Sequence, residues 1–479
     1  MSLPAPAAVL LLFLALLILC QAGHGTPGAL SEARVAIVIV SNGIASFDRH
    51  LSSTARDSIQ RQLAPHEKTV VLVSNALDAT NAPWGHQSIW PLIPRLLSHS
   101  PSLEWVLLVE PESRVDMSKL RVLLSSRDSS KAHFLGYGLV DREPVIIHHF
   151  HGFDTRDVFE YPDFARGTLL SRSVLDGLAE EVRKRHQSDF AIDPRHEFAR
   201  FILDKLDVRL TSENEYFCAS QGGRHCVVWS DENLSSNQYC MSHPAPNYRS
   251  LFVAIKTFSG YHRSRVVVTK RTWAKNARLV EFFSDVEDPY IPTKTLGINN
   301  TERGHCAKTM AILKHALEHE ELTPEIKWIL VADDDTLIGL ARLYRLLRCF
   351  DPAEMVIVGE RYGYGYSADG LAGYDYPTGG AGMVFSIPAA RALANGCQCP
   401  SDDSPDDMII GLCARQLDIP VSHSSKFHQA RARDYARALL SRQQPISFHK
   451  FEEIDPYEDY MQLLHEDEDD VQWNVHSEL

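Results

Sequence analysis

Two stretches of the chain, 223 residues apart, carry the same pattern. Glu104–Leu124 reads EWVLLVEPESRVDMSKLRVLL and Lys327–Leu347 reads KWILVADDDTLIGLARLYRLL, so Trp105 falls on Trp328 and Glu110-Pro111-Glu112 on Asp333-Asp334-Asp335. Upstream, Val35–Ser41 matches Val253–Ser259; downstream, Glu160–Gly167 matches Asp375–Gly382, at offsets of 218 and 215 residues. Three collinear matches sharing a Trp and a Tyr-Pro indicate duplication, because repeated α/β patterning alone gives one such match and not an ordered series. A duplicated chain of 479 residues is expected to fold as two similar units of ordinary domain size.

Within each unit the apolar run is the anchor. Ile329–Ala332 has the character of a strand buried on both faces of a parallel sheet, and it ends in three carboxylates. Leu340, Leu343, Leu346 and Leu347 then follow at helical spacing. Further strands (Leu251–Thr257, Pro420–His423) alternate with helices (Thr309–Glu318, and one containing Arg271-Thr272-Trp273), which predicts an α/β fold with a mostly parallel sheet. Ligands of such sheets bind beyond the carboxyl ends of the strands. Adjacent carboxylates there repel one another, so a cation is the usual reason to hold them together; the alternative is a solvated acidic loop.

The first copy, 29–210, has lost the features chemistry would need. Pro111 replaces the middle acid, Phe164-Ala165-Arg166 replaces a run of small residues, and Pro194-Arg195-His196 stands where the second copy has Pro405-Asp406-Asp407. It reads as a structural or acceptor-binding copy. A Cys-containing linker, 211–249, precedes the second copy, 250–455, and an acidic tail, 456–479, closes the chain.

The apolar run Val9–Leu19 is too short to span a bilayer and suits a signal peptide over 1–22 with cleavage after Ala22; no later segment is apolar enough for a stable membrane span. Eight cysteines follow it, at 218, 226, 240, 306, 349, 397, 399 and 413, an even count that predicts disulfides of open connectivity in an oxidising compartment. The final His476-Ser477-Glu478-Leu479 resembles an endoplasmic-reticulum retrieval signal, read by a retrieval receptor, with Ser477 in place of Asp. Together they predict the lumen of the endoplasmic reticulum. Asn233 and Asn299 stand in N-glycosylation sequons. The net charge of −14, with ten acids and no Lys or Arg between Glu452 and Asp470, argues against nucleic-acid binding.

Arg271-Thr272-Trp273, Cys306-Ala307-Lys308, Trp328–Thr336, Thr378–Gly382, Pro405–Gly411 and Phe427-His428 occur in this order over about two hundred residues of the second copy. In that series the chain resembles the Fringe-type β1,3-glycosyltransferases. The resemblance implies two tandem GT-A-like (Rossmann-type) domains, the first degenerate, and an inverting transfer from a UDP-sugar. It further implies that Asp335 and His428 bind Mn2+ and that Asp333 and Asp334 face the nucleotide and donor sugar, with Asp407 as the base beside Asp406. Lys308 and Arg271 would meet the diphosphate, while Gly379, Gly380 and Gly382 allow close approach to a sugar. Mn2+ suits carboxylate, imidazole and phosphate oxygen together, whereas Mg2+ prefers oxygen alone. On the residues alone, His423 competes with His428, and Asp406 and Asp407 could serve only to stabilise a helix N-terminus. With its duplication, signal peptide and tail, the chain most resembles the branch of that family that moves glucose from UDP-glucose onto O-linked fucose of thrombospondin type 1 repeats. UDP-GlcNAc or UDP-galactose as donor, or a non-catalytic lectin or folding sensor, stay open.

Overall fold

The computed structural model describes residues 31–74, 89–151, 158–184, 188–231, 238–242, 248–367 and 372–466. The signal peptide, Asn233 and the retrieval-like tail lie outside them; Asn299 is exposed, as a sequon requires. No described helix is long and apolar enough to cross a membrane.

The first half is built on strands β1 (Val35–Ile39), β2 (Thr69–Val73), β3 (Trp105–Val109), β4 (Phe134–Gly136), β5 (Thr168–Ser171), β6 (Ser188–Ala191) and β7 (Thr211–Ser212). Its helices include α1 (Ser46–Gln60), α2 (Arg172–Arg183) and α3 (Pro194–Leu206). The second half uses β8 (Leu251–Lys256), β9 (Leu279–Phe283), β10 (Thr293–Lys294), β11 (Trp328–Asp333), β12 (Thr336–Ile338), β13 (Ile357–Gly359), β14 (Arg361–Tyr366), β15 (Tyr374–Pro377), β16 (Met383–Ser386), β17 (Val421–His423) and β18 (Ser447–His449). Its helices include α4 (Arg265–Arg271), α5 (Cys306–Leu322), α6 (Leu340–Leu347), α7 (Ile387–Gly396) and α8 (Asp406–Gln416).

The two main sheets have one topology. The first runs β7-β4-β5-β3-β1-β2 and the second β17-β13-β16-β11-β8-β9, with β10 added at its edge. Every corresponding pair has the same sense: β1 is parallel to β2 and β3 as β8 is to β9 and β11, and β5 and β16 alone run antiparallel to both neighbours. Register refines the sequence correspondence. Trp105 lies opposite Val35 and Trp328 opposite Leu251, so Val35 corresponds to Leu251 and not to Val253. The two-residue difference keeps every side chain on its face, which is why apolar pattern alone did not resolve it.

The halves meet over a broad contact. One apolar cluster runs from Ala36 and Val38 on β1 to Leu251 and Val253 on β8. Strand β6 of the first half pairs antiparallel with β14 of the second. Buried Asp163 accepts two hydrogen bonds from Arg442, both at 2.9 Å. Removing Arg442 leaves the Asp163 charge only Arg166, 3.6 Å away, as a cationic partner among the described residues, and breaking a buried pair costs up to roughly 3–5 kcal/mol. Arg442→Met is therefore expected to lower the midpoint of urea unfolding strongly; an unchanged midpoint would mean the pair adds nothing.

The eight cysteines form four disulfides: Cys218–Cys226, Cys240–Cys349, Cys306–Cys399 and Cys397–Cys413. The first closes a small loop within 211–249 and the second pins that segment to the end of α6. Cys397 and Cys399 take different partners, so one short loop is tied to both α8 and the first residue of α5. Those ties fix the segment that leads into Asp406.

Candidate active site

Asp333 ends β11, and the parallel register places Lys256, the last residue of β8, beside it. Lys256 Nζ lies 3.0 Å from Asp333 and 2.7 Å from Asp406, in the first turn of α8. Thr309 on α5 donates to the same Asp406 oxygen at 2.6 Å. Asp406 is thus bound to neighbouring side chains and does not cap its helix. Burial raises both carboxyls, but the Lys256 charge and hydrogen bond, joined by the His449 charge at Asp333 and the Thr309 hydrogen bond at Asp406, together hold each below the usual range.

Asp334 points to the other side. It accepts from Thr257 at 2.6 Å, and its carbonyl accepts from Thr269 at 2.7 Å. Burial, with the Asp335 charge added, pushes its carboxyl up to about 6. Asp335 faces Arg265 at 2.9 Å and His449 Nε2 at 3.1 Å. His449 is also 3.7 Å from Asp333. The pairing of β12 with β18 sets His449 opposite Thr336, next to the acid run. Ligand atoms of Asp333, Asp335 and His449 all lie within 4.8 Å of one another, the donor set of a hard-to-borderline divalent ion.

Gly380 packs on the His449 ring, where a Cβ would come within 2.3 Å of Nδ1. Gly379 donates its N–H to Asp407 Oδ2 at 3.3 Å, and Met408 N–H donates to Oδ1 at 2.7 Å. Gly382 takes φ +91°, a conformation that favours glycine. Burial and the neighbouring Asp406 charge push the Asp407 carboxyl up to about 6, against those two backbone donors. One wall of the cleft therefore carries the metal-type triad and another a carboxylate poised near neutrality.

The sequence model of the Fringe-like family matches residues 247–474, the half that carries this cleft. A mouse protein named Beta-1,3-glucosyltransferase is 38% identical over 91% of this chain and 87% of its own length, and its human counterpart 39% identical over 91% and 86%. The chain belongs to the Fringe-like glycosyltransferase family. Zebrafish Beta-1,3-N-acetylglucosaminyltransferase manic fringe is 24% identical over 50% of this chain and 77% of its own.

Two residues expected in the site of this Fringe-like glycosyltransferase stand elsewhere. His428 is buried, with Nδ1 3.0 Å from Ser447 O and Nε2 3.1 Å from the Gln443 amide, and its ring stacks on Phe448 at 4.6 Å. Both nitrogens are committed to core contacts, and burial pushes the imidazole down to about 4. His423, the competing candidate, has Nδ1 accepting from the Arg361 N–H at 3.2 Å. Arg271 is exposed at the end of α4, and Arg265 makes the contacts to the acids. Six residues of helix are about one and two-thirds turns, so the two arginines point about a third of a turn apart, on different faces. Helix α4 stops at Arg271, short of Trp273, which is buried and donates Nε1–H to Thr336 O at 2.8 Å. Lys308 reaches the cleft floor, donating to Thr257 O at 2.8 Å. Burial, then the Lys256 charge, lowers its ammonium.

The corresponding place in the first half is differently furnished. Glu110 and Glu112 line a cavity with Arg195 from their own half and Glu360, Arg361 and Tyr435 from the second. Arg195 occupies the first turn of α3, where α8 carries its acid pair. One residue past the β1/β3 pairs, Val40 donates to Val109 O, so a valine stands where the second half has Lys256.

Proposed function

We propose that the chain transfers glucose from UDP-glucose in β1,3 linkage to O-linked fucose on thrombospondin type 1 repeats, in the lumen of the endoplasmic reticulum. The observation that carries this is coverage. The relatives named Beta-1,3-glucosyltransferase match through both halves of the chain, whereas the fringe N-acetylglucosaminyltransferases match half of it or less. On this reading residues 250–455 are the catalytic domain. Residues 29–210 are a non-catalytic GT-A-like domain, 211–249 a linker, and the tail engages a retrieval receptor.

Asp333, Asp335 and His449 would hold Mn2+, which supplies positive charge to the diphosphate leaving group when bound. Lys256 keeps Asp333 and Asp406 ionised and fixed, so the two acid sets stay in register across the cleft. Arg265 and Lys308 are the cations placed to meet phosphate oxygens. The backbone of Gly379, free of a side chain, leaves room for the donor sugar, while Gly380 makes room for the His449 ring. Asp407 takes the proton from the fucose hydroxyl as that oxygen attacks the anomeric carbon from the face opposite UDP; the bond to the phosphate oxygen breaks and the configuration inverts.

The test offers UDP-glucose, UDP-galactose and UDP-GlcNAc separately, with Mn2+ and an O-fucosylated thrombospondin repeat, to the purified chain. Disaccharide is expected from UDP-glucose alone. Transfer from another donor would correct the substrate, and no transfer despite measured UDP binding would point to a lectin or folding sensor.

A further inference from the structure

Away from the cleft, α5 carries His315 and His319 four residues apart, hence on one helix face. That face lies against Glu281 on β9. His315 Nε2 is 2.7 Å from one oxygen of Glu281, and His319 Nε2 is 3.2 Å from the other. The three ligand atoms fall within 4.8 Å of one another. Each group is partly buried, with side-chain exposure between 16% and 31%, so an ion could enter from solvent.

The rings are held in place. Phe283 meets His315 edge-on at 5.4 Å, Phe252 lies 5.3 Å from His319, and the two imidazoles meet edge-on at 4.9 Å. These contacts leave both Nε2 atoms converging on one carboxylate. In a tetrahedral zinc site, ligand atoms at about 2.0–2.2 Å from the ion lie roughly 3.3–3.6 Å from each other. The two histidine–carboxylate spacings, 2.7 and 3.2 Å, need to open by less than an ångström. Burial would raise the Glu281 carboxyl, but hydrogen bonds from Lys294 and His315 outweigh it and keep the acid in its ligand form. Lys294 Nζ, 2.6 Å from Glu281, remains as a partner that orients the carboxylate.

We propose that Glu281, His315 and His319 form a second metal site, taking one zinc ion with water as the fourth ligand. Two imidazoles and one carboxylate favour a borderline ion such as Zn2+ over Mn2+. The site would clamp α5 to β9. Since α5 also carries Lys308 and Thr309 into the cleft, zinc would stiffen the wall that holds Asp406 without taking part in transfer.

The experiment titrates Zn2+, and Co2+ as its spectroscopic stand-in, into the full chain, into His315→Gln/His319→Gln, and into His449→Gln. One tight zinc equivalent is expected in wild type and in His449→Gln, with visible cobalt bands and a raised Tm; the double variant should lose all three while keeping Mn2+-supported transfer. Should the double variant fold poorly, zinc protection of His315 and His319 from carbethoxylation, mapped by mass spectrometry in wild type, reads the same site. Equal zinc binding by wild type and the double variant, absent cobalt bands in wild type, or unprotected His315 and His319 would overturn the assignment. In that event the trio is a hydrogen-bonded cluster around Glu281.

Discussion

Asp407→Asn is expected to lower kcat by roughly 10²–10⁴-fold, the usual worth of a positioned general base, while UDP binding survives. The geometry supports so specific a loss. The carboxylate is held by the N–H groups of Gly379 and Met408, and among the described residues no ion pair or metal-type cluster depends on it. Its carboxyl is pushed up to about 6 by burial and by Asp406. A base must be ionised, so kcat/KM should rise with pH through about 6 and fall about tenfold per unit below it; in the Asn variant that limb should vanish.

Stability supplies the control. A carboxyl whose pKa is raised on folding binds protons more tightly in the folded chain. Ionising it therefore costs stability, a cost that sets in above the ordinary carboxylate range and is complete above about 6. Asp407→Asn removes that cost and should leave Tm at neutral pH unchanged or higher. A variant that loses activity together with Tm would assign Asp407 a structural role. One that keeps both activity and the acidic limb would exclude it as the base.

How far the sequence could be read depended on whether the signal was local. The Ile329–Ala332 run and its acids are contiguous, so both the buried strand and the acid cluster were legible, as were the helical pattern of α6 and the repeat through Trp105 and Trp328. Contacts made through register were not. Lys256 looks like any charged residue at a strand end; only the pairing of β8 with β11 makes it the counter-charge of Asp333. Arg265 closes the basic run His262-Arg263-Ser264-Arg265, but the helix face that separates it from Arg271 depends on where α4 starts. His449 was missed for the same reason. It ends a three-residue strand whose partner is more than a hundred residues away, and so short a strand gives little periodicity. The trace available was the apolar Ile446 and Phe448 alternating with Ser447 and His449, which implies a strand end at a sheet edge. His428 enters through the family resemblance carried by Phe427-His428, and a histidine that follows an apolar Phe is equally well a core histidine.

That exchange of histidines gives the second large effect. His449→Gln is expected to raise the Mn2+ concentration for half-maximal activity by more than 10–100-fold, the loss caused by removing merely a supporting partner of a metal ligand. His428→Gln should leave the Mn2+ response intact and cost roughly 1–3 kcal/mol of stability, because its ring nitrogens serve Ser447 and Gln443 inside the core. Gly380→Ala separates ligand loss from ring displacement. Its Cβ would lie 2.3–2.6 Å from three atoms of the His449 ring, so the imidazole must shift although every proposed ligand remains. It should weaken Mn2+ activation in the same sense as His449→Gln, with UDP-sugar KM following the metal. If His428→Gln lost the Mn2+ response and His449→Gln kept it, the ligand set drawn from Asp333, Asp335 and His449 would be wrong. The cleft would then have to rearrange on binding its donor, bringing a buried histidine out of the core against both of its hydrogen bonds.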